Sequence, residues 1–469
     1  MIKSDRIRLV YFYLEEKSVF LTYQIIVILF LIWVYYNLIT GKMNKAAAGF
    51  AAGSILISIN SIFKIIPEFD LEHLSQFVDF KTIALLVGMM IIMPFIEKSG
   101  FFQYLAIIVV KASRGKLLLL YLVTSITVAI SSAFLNNVST VLVFVPVILA
   151  IMETIDKNPF PFLMMIILSA NLGGTATLIG DPPNMVIGFA AGKSFIEFLV
   201  NVAPGVLLTL AFVLIYTIKK EWNVFKLTEE EEKLLEAFRA TDPKTQIKDK
   251  KLLIKSLSVF VGAIFGFMLP PQSGVDPAVI ALIAGAVMLI VLRASDEDME
   301  EIYRKMEWGT IFFYIGMFIL VFALQSIGVI DLIGNGLMLF TKIPGIGEAA
   351  VNIIFLIFLL WIPLLLSGIM SAVPMAMIMV PIVHSLIEKS QTIGITITPL
   401  VWWALVFGTC FGGNMTVVGA AANIVVTGMT DKLPRGRITF SNYIRYSLPI
   451  VLFSGVIASG YILVKYFFF

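Results

Sequence analysis

The feature that most narrows the fold is a succession of apolar runs, each near or beyond bilayer-crossing length. The first is Phe20–Ile39, closed by Thr40, Gly41 and Lys42; others cover 46–63, 82–96, 117–152, 160–191, 195–218, 252–269, 278–292, 310–324, 349–387, 400–429 and 444–466. About 20 apolar residues suffice to cross a hydrocarbon core of about 30 Å. Charged residues make up 14% of the chain and hydrophobic ones 59%, which is too little charge to cover a water-facing surface. Lipid is therefore the expected surroundings. A net charge of +3 and no basic block interleaved with aromatics argue against a nucleic-acid partner. The single cysteine, Cys410, excludes a disulfide framework. Residues 1–20 carry Lys3, Arg6, Arg8 and Lys17 without a short apolar region and cleavage site, so the first run reads as a retained helix after an interfacial segment.

The two halves repeat one another. Asp79–Ile83 with Gly88, Met89 and Gly100 matches Glu307–Ile311 with Gly316, Met317 and Gly328, at an offset of 228. Ser132–Pro146 aligns with Ser367–Pro381 at offset 235, and Gly173–Gly180 with Asn184 aligns with Gly412–Gly419 and Asn423 at offset 239. Phe195 and Pro204 find Phe440 and Pro449. Duplicated transporters often set such halves in opposite orientation, with the substrate where they meet. Counting Lys and Arg under that assumption puts most of the 34 basic residues on one side, the cytoplasmic one, with the N-terminal tail discordant. The expected fold is all-α and polytopic. Its first inverted repeat, 1–218, has a re-entrant hairpin at 116–155 and a broken helix at 160–192. A charged, solvated cytoplasmic linker follows at 219–255, and the second repeat, 256–469, has its hairpin at 349–388 and broken helix at 398–430. About ten full spans accompany these elements.

Polar interruptions carry the chemistry. In Gly173–Asn184, Pro182 and Pro183 lack N–H groups and disfavour helical geometry at the residue before each. The helix should therefore break near mid-membrane, where irregular backbone survives only if it is buried in protein or lines a watery cavity. Freed carbonyls there can coordinate a cation, and helix N-termini can face an anion. Asp181 is costly at that depth unless paired or functional. The bland alternative is a proline-kinked structural helix with Asp181 at an interface. The second interruption, Asn136, Asn137, Val138, Ser139 and Thr140, supplies amides and hydroxyls without fixed charge, suited to a partly dehydrated ion at a hairpin tip. Its alternative is hydrogen bonding between packed helices. Candidate site residues are Asn136, Asn137, Ser139, Thr140, Gly173, Gly174, Thr175, Thr177, Asp181 and Asn184, with Ser371, Gly413, Asn414, Thr416 and Asn423 from the second half. Asn137, Gly174 and Asp181 are the candidate Na+ ligands.

Leu135 to Pro146, followed about forty residues later by Gly173-Gly174-Thr175-Ala176-Thr177-Leu178-Ile179-Gly180-Asp181-Pro182-Pro183-Asn184, resembles the ArsB/NhaD and P-permease branch of the ion transporter superfamily. The resemblance covers nearly all of residues 20–466. It implies a secondary active transporter, a homodimer, an ion site of hairpin tips and unwound helices, and elevator-type movement of a transport domain. Two departures stand out. Asn136-Asn137 replaces the Asp-Asn common at the first tip, and Ser371-Ala372 leaves the second tip without an acid. Ala420–Ala422 also stands where the first half has Asp181-Pro182-Pro183.

Three substrate readings follow. With Asp181 the only carboxylate in the motifs, a small inorganic anion or metalloid, arsenite-like, comes first, coupled to Na+ or H+; a Na+/H+ antiporter comes second and a di- or tricarboxylate carrier third. No other cofactor is expected, and the cytoplasmic membrane is the expected location. A channel would differ by passing ions without counter-transport. A membrane hydrolase would need a Ser–His pair or a metal cluster, and the sequence around His73 and His384 shows no second metal ligand at useful spacing. The run Met370–Met379 reads as adaptable packing, and Cys410 as a small buried apolar side chain.

Overall fold

A computed structural model of the chain describes residues 2–239 and 242–468. The side chains of residues 2–18, 236–239 and 271 are outside the described set, and so are the basic groups of the N-terminal tail. Helix is the only regular secondary structure among the described residues, with no strand. The helices used below are α1 (Ile2–Thr40), α2 (Lys45–Phe63), α3 (Phe80–Lys98), α4 (Leu117–Phe134), α5 (Asn137–Thr154), α6 (Phe160–Thr175), α7 (Pro182–Ala190), α8 (Ala203–Lys220) and α9 (Glu229–Arg239). They continue with α10 (Lys250–Phe267), α11 (Pro277–Leu292), α12 (Asp296–Lys305), α13 (Trp308–Ser326), α14 (Glu348–Met370), α15 (Ala372–Thr392), α16 (Leu400–Gly412), α17 (Ala421–Thr430) and α18 (Phe440–Phe468).

Among the described residues, 10 helices are long and apolar enough to cross a membrane: Val19–Thr40 of α1, then α2, α3, α4, α5, α8, α13, α14, α15 and α18. Four of the ten are the paired legs α4/α5 and α14/α15. The helices α6, α11, α16 and α17 are shorter.

The chain folds into two compact units, each assembled from both sequence halves. One comprises Met1–Phe80, Glu307–Gly345 and Val380–Thr396; the other comprises Lys81–Met306, Ile346–Met379 and Ile397–Phe469. The units therefore do not follow the division at residues 218 and 256. In the first unit α2 and α13 pack backbone to backbone. Gly49 and Gly53, four apart on α2, present a bare face, and a Cβ on Gly53 would come within 2.7 Å of the Gly316 carbonyl oxygen. Small residues at this spacing let membrane helices approach closely enough for dispersion to hold them.

The second unit contains the charged middle of the chain, which is largely exposed and tethered at a few points. Lys157 Nζ donates to the Lys226 carbonyl at 2.8 Å and pairs with Glu231 at 3.2 Å. Leu235 is buried, and the Lys248 amide donates to the Ser99 carbonyl at 3.0 Å. Beside Ser99, Gly100 has φ +87, and the Gln246 carbonyl occupies the space a Cβ would need. Most of the described residues of 219–255 are exposed, as a solvated linker would be, and these few contacts tether it.

Candidate functional site

The site is built in the second unit where two helix pairs and two interrupted helices meet. Helix α4 stops at Phe134 because Leu135 and Asn136 are extended, and Asn136 then caps α5, its Oδ1 accepting from the Val138 amide at 2.8 Å. A side-chain oxygen at this position satisfies one of the N–H groups a helix start leaves open. The next amide points inward. Asn137 Oδ1 accepts from Ser132 Oγ at 2.5 Å, and its Nδ2 approaches Asn171 Oδ1 at 3.4 Å. Thr140 Oγ1 donates back to the Asn136 carbonyl at 3.2 Å, while Ser139 is half-buried on the same turn.

Helix α6 ends at Thr175, and residues 176–181 are non-helical before α7 starts on Pro182 and Pro183. Proline belongs at the first turn of a helix, where its missing N–H costs nothing. The break is closed by Asn184, whose Nδ2 donates to the carbonyls of Gly174 (3.0 Å), Thr175 (3.1 Å) and Thr177 (2.7 Å). Thr177 Oγ1 donates to the Ala133 carbonyl on the hairpin. The carbonyls of Gly174, Thr175 and Thr177 are therefore engaged, although each keeps a second lone pair. Gly174 has to be glycine: a Cβ there would lie 2.5 Å from Asn137 Oδ1. Gly173 likewise abuts the backbone of Ala129.

The second half repeats these contacts. Helix α14 ends at Met370, and Ser371, half-buried with φ 74, turns the chain into α15. Thr416 Oγ1 donates to the Gly368 carbonyl at 2.5 Å, as Thr177 does to Ala133. Asn423 Nδ2 donates to the carbonyls of Gly413 (2.8 Å) and Thr416 (2.9 Å), as Asn184 does at its own break. Alanines 420–422, unlike Pro182-Pro183, do not force an interruption; here the carbonyls are tied by the asparagine 10 residues after Gly413.

Two side chains that the sequence reading did not select join the halves. Asn171 Nδ2 donates to Asn414 Oδ1 and to Asn423 Oδ1, each at 2.8 Å. Cys410 Sγ donates to Asn184 Oδ1 at 3.1 Å and also faces the Asp181 carboxyl. Extending the 239-residue offset backward pairs Asn171 with Cys410, so each half sends one donor to the other half's closing asparagine. The signal was present in the alignment, hidden by the change of residue type. The thiol read as an apolar filler is thus a hydrogen-bonding member of the cluster. Asp181 sits at the start of α7, half-buried, and its side chain does not cap that helix.

The structure therefore brings Asn137, Gly174, Thr175, Thr177, Asn184, Asn414, Thr416 and Asn423 into one continuous polar core with Ser132, Asn171 and Cys410. Asn136 and Thr140 serve the hairpin turn itself. Among the described residues no three His, Cys, Asp or Glu side chains gather as a metal site. His73, in the first unit, bonds Asp70 at 2.8 Å, and that bond raises its pKa above the usual histidine value.

A family model described as citrate transporter, CitMHS, matches residues 35–408. An uncharacterized transporter of Mycobacterium tuberculosis is 31% identical over 445 residues, covering 95% of this chain and 99% of its own length. The human P protein is 29% identical, over 84% of this chain and 54% of its own length. In fold, the chain resembles the YdaH transporter of Alcanivorax borkumensis (TM-score 0.56, 15% identity, 82% of this chain and 85% of that one). It also resembles MtrF of Neisseria gonorrhoeae (TM-score 0.55, 14% identity, 94% of each chain). With ten apolar helices and this match over most of its length, the chain belongs to the citrate transporter family, CitMHS, of multi-pass membrane transporters.

Proposed function

We propose that this transporter is a secondary active permease of the cytoplasmic membrane for a small inorganic anion or metalloid of the arsenite type, coupled to Na+ or H+. The observation that carries this reading is the core itself: carboxamides and hydroxyls drawn from both halves, one adjacent carboxylate, and no Lys or Arg in either motif. Such a lining exchanges water's hydrogen bonds for fixed amide ones without a full countercharge, which suits a neutral or weakly charged solute better than a multiply charged one. The matched contacts of the two breaks support a duplicated, inverted architecture, with α4/α5 and α14/α15 as re-entrant hairpins. The Gly173–Asn184 motif supports placement in the ArsB/NhaD and P-permease branch.

Every candidate site residue lies in one compact unit, which supports an elevator mechanism in which that unit moves as a body; the family resemblance adds that the transporter works as a homodimer. One observation favours a second reading, Na+/H+ antiport: Asp181 is half-buried and faces the Cys410 thiol, a place where a proton and a cation could compete. The family's description as citrate transporter keeps a tricarboxylate in the test panel.

The deciding experiment is transport by purified protein in proteoliposomes under imposed pH and Na+ gradients, offering arsenite, Na+, Li+, chloride and citrate. Gradient-dependent arsenite uptake or efflux is the expected result. Proton movement triggered only by Na+ or Li+ selects the antiporter, and citrate flux alone selects the carboxylate carrier. Flux that follows the solute's own gradient without coupling overturns the secondary active reading.

A further inference from the structure

Helices α10 and α11 run antiparallel in the second unit: Lys255 Nζ donates to the Val291 carbonyl at 3.1 Å at one end, and Gly266 packs on Ile280 at the other. Between them lies an open groove of about 520 Å³, walled by Val259, Gly262, Ala263, Ile283, Ala284 and Val287. Nothing lies within 4 Å of the position a Cβ would take on Gly262. From Ile254 to Ala263 the groove is about 14 Å long at 1.5 Å per residue, close to the depth of one leaflet.

An apolar slot alone would take any acyl chain. Its Lys255 end sets it apart. Lys251 precedes Lys255 by one turn on the same face of α10, and Arg293 follows the C-terminus of α11, two residues beyond the carbonyl that Lys255 bonds. Nearby acids are partly committed: Asp249 caps α10 through the amides of Lys251 (2.8 Å) and Leu252 (3.0 Å), and Asp298 accepts from Lys98 at 2.7 Å. Asp296 and Glu297 are exposed on the first turn of α12. Basic clusters at the membrane surface beside an apolar crevice recognise anionic headgroups.

We propose that this groove binds one anionic phospholipid, its acyl chain along Gly262 and Ala263 and its phosphate against Lys255, with Lys251 and Arg293 beside it. This site is independent of the polar core and of the identity of the transported ion.

The test reconstitutes the full-length protein into phosphatidylcholine vesicles with phosphatidylglycerol as the minor lipid. Lipids retained after mild extraction are then counted by native mass spectrometry. The wild type should retain phosphatidylglycerol well above its share of the bilayer. Lys255→Gln should lower that preference about fivefold, the worth of one basic residue at an anionic surface. Gly262→Trp, whose Cβ meets nothing within 4 Å, fills the slot and should abolish the retained lipid while the protein stays monodisperse. Retention in the bilayer's own ratio overturns the proposal. So does a preference that survives Lys255→Gln, or retention unaffected by Gly262→Trp.

Discussion

Removing the amide of Asn171 is the sharpest perturbation of the polar core. Its Nδ2 serves two acceptors at 2.8 Å, Asn414 Oδ1 and Asn423 Oδ1, and the side chains of all three are buried. Asn423 cannot compensate by turning its amide over, because its own Nδ2 already closes the second break on Gly413 and Thr416. Two effects compete in the magnitude. Interhelical hydrogen bonds between membrane helices average only about 0.6 kcal/mol each, because the unfolded helices also find partners in lipid. Leaving a buried acceptor unsatisfied costs more, about 1–3 kcal/mol per group. The orphaned acceptors dominate, and Asn171→Ala should destabilise the protein by about 2–4 kcal/mol, less if water enters the vacated space. Asn171→Asp should be worse than alanine, since it keeps the volume but turns a carboxylate toward two amide oxygens. The assay is reversible unfolding in mixed micelles followed by the fluorescence of Trp402 and Trp403 on α16, with solute affinity measured in parallel. A loss below about 0.5 kcal/mol for both variants, with affinity unchanged, would refute the claim that Asn171 joins the halves.

Other outcomes are equally specific. Asp181→Asn should leave folding intact and remove ion coupling or its pH dependence; unchanged coupling in proteoliposomes would count against Asp181 as the coupling group. Asn137→Ala should weaken solute or ion affinity at least about tenfold, roughly 1.4 kcal/mol, as read by a binding isotherm. Gly53→Leu should cost about 3 kcal/mol or prevent assembly, because the atoms its side chain meets are the backbone of Gly316; thermal unfolding in detergent reports it. The hydrogen bond from Lys98, then that from the Ser295 amide, hold Asp298 below its usual value of 3.8. A carboxyl lowered in this way stabilises the fold above the unfolded value and loses that contribution as pH falls through and below it. Acid scans of Lys98→Met should therefore show a shallower stability loss below about pH 4 than the wild type.

How much of this was legible in the chain varies with the kind of contact. The spans were readable because an apolar stretch of that length has few other fates. The first break was readable because Pro182 and Pro183 remove donors wherever they stand. The second break carries no such mark: Ala420–Ala422 would continue a helix, and only its alignment with the first half pointed to an interruption there. Asn171 was missed because one amide within Phe160–Leu172 looks like an ordinary polar residue, and its partners lie 243 and 252 residues away. The tethers of the middle segment at Ser99 and Gly100 were not legible, because they run through backbone groups that residue charge does not encode. The interleaving of the compact units was equally silent, since it depends on which distant helices share small-residue faces.

That interleaving has a consequence for biogenesis. The chain passes from one unit to the other at 80/81, 306/307, 345/346, 379/380 and 396/397. During synthesis, α2 reaches the bilayer more than two hundred residues before α13 arrives to cover Gly49 and Gly53. The nascent protein must therefore keep the Gly49/Gly53 face of that helix uncovered in lipid, with α1 as its neighbour, through about half of translation. A gene cut in the charged middle would yield two fragments, neither able to complete a unit until it meets the other.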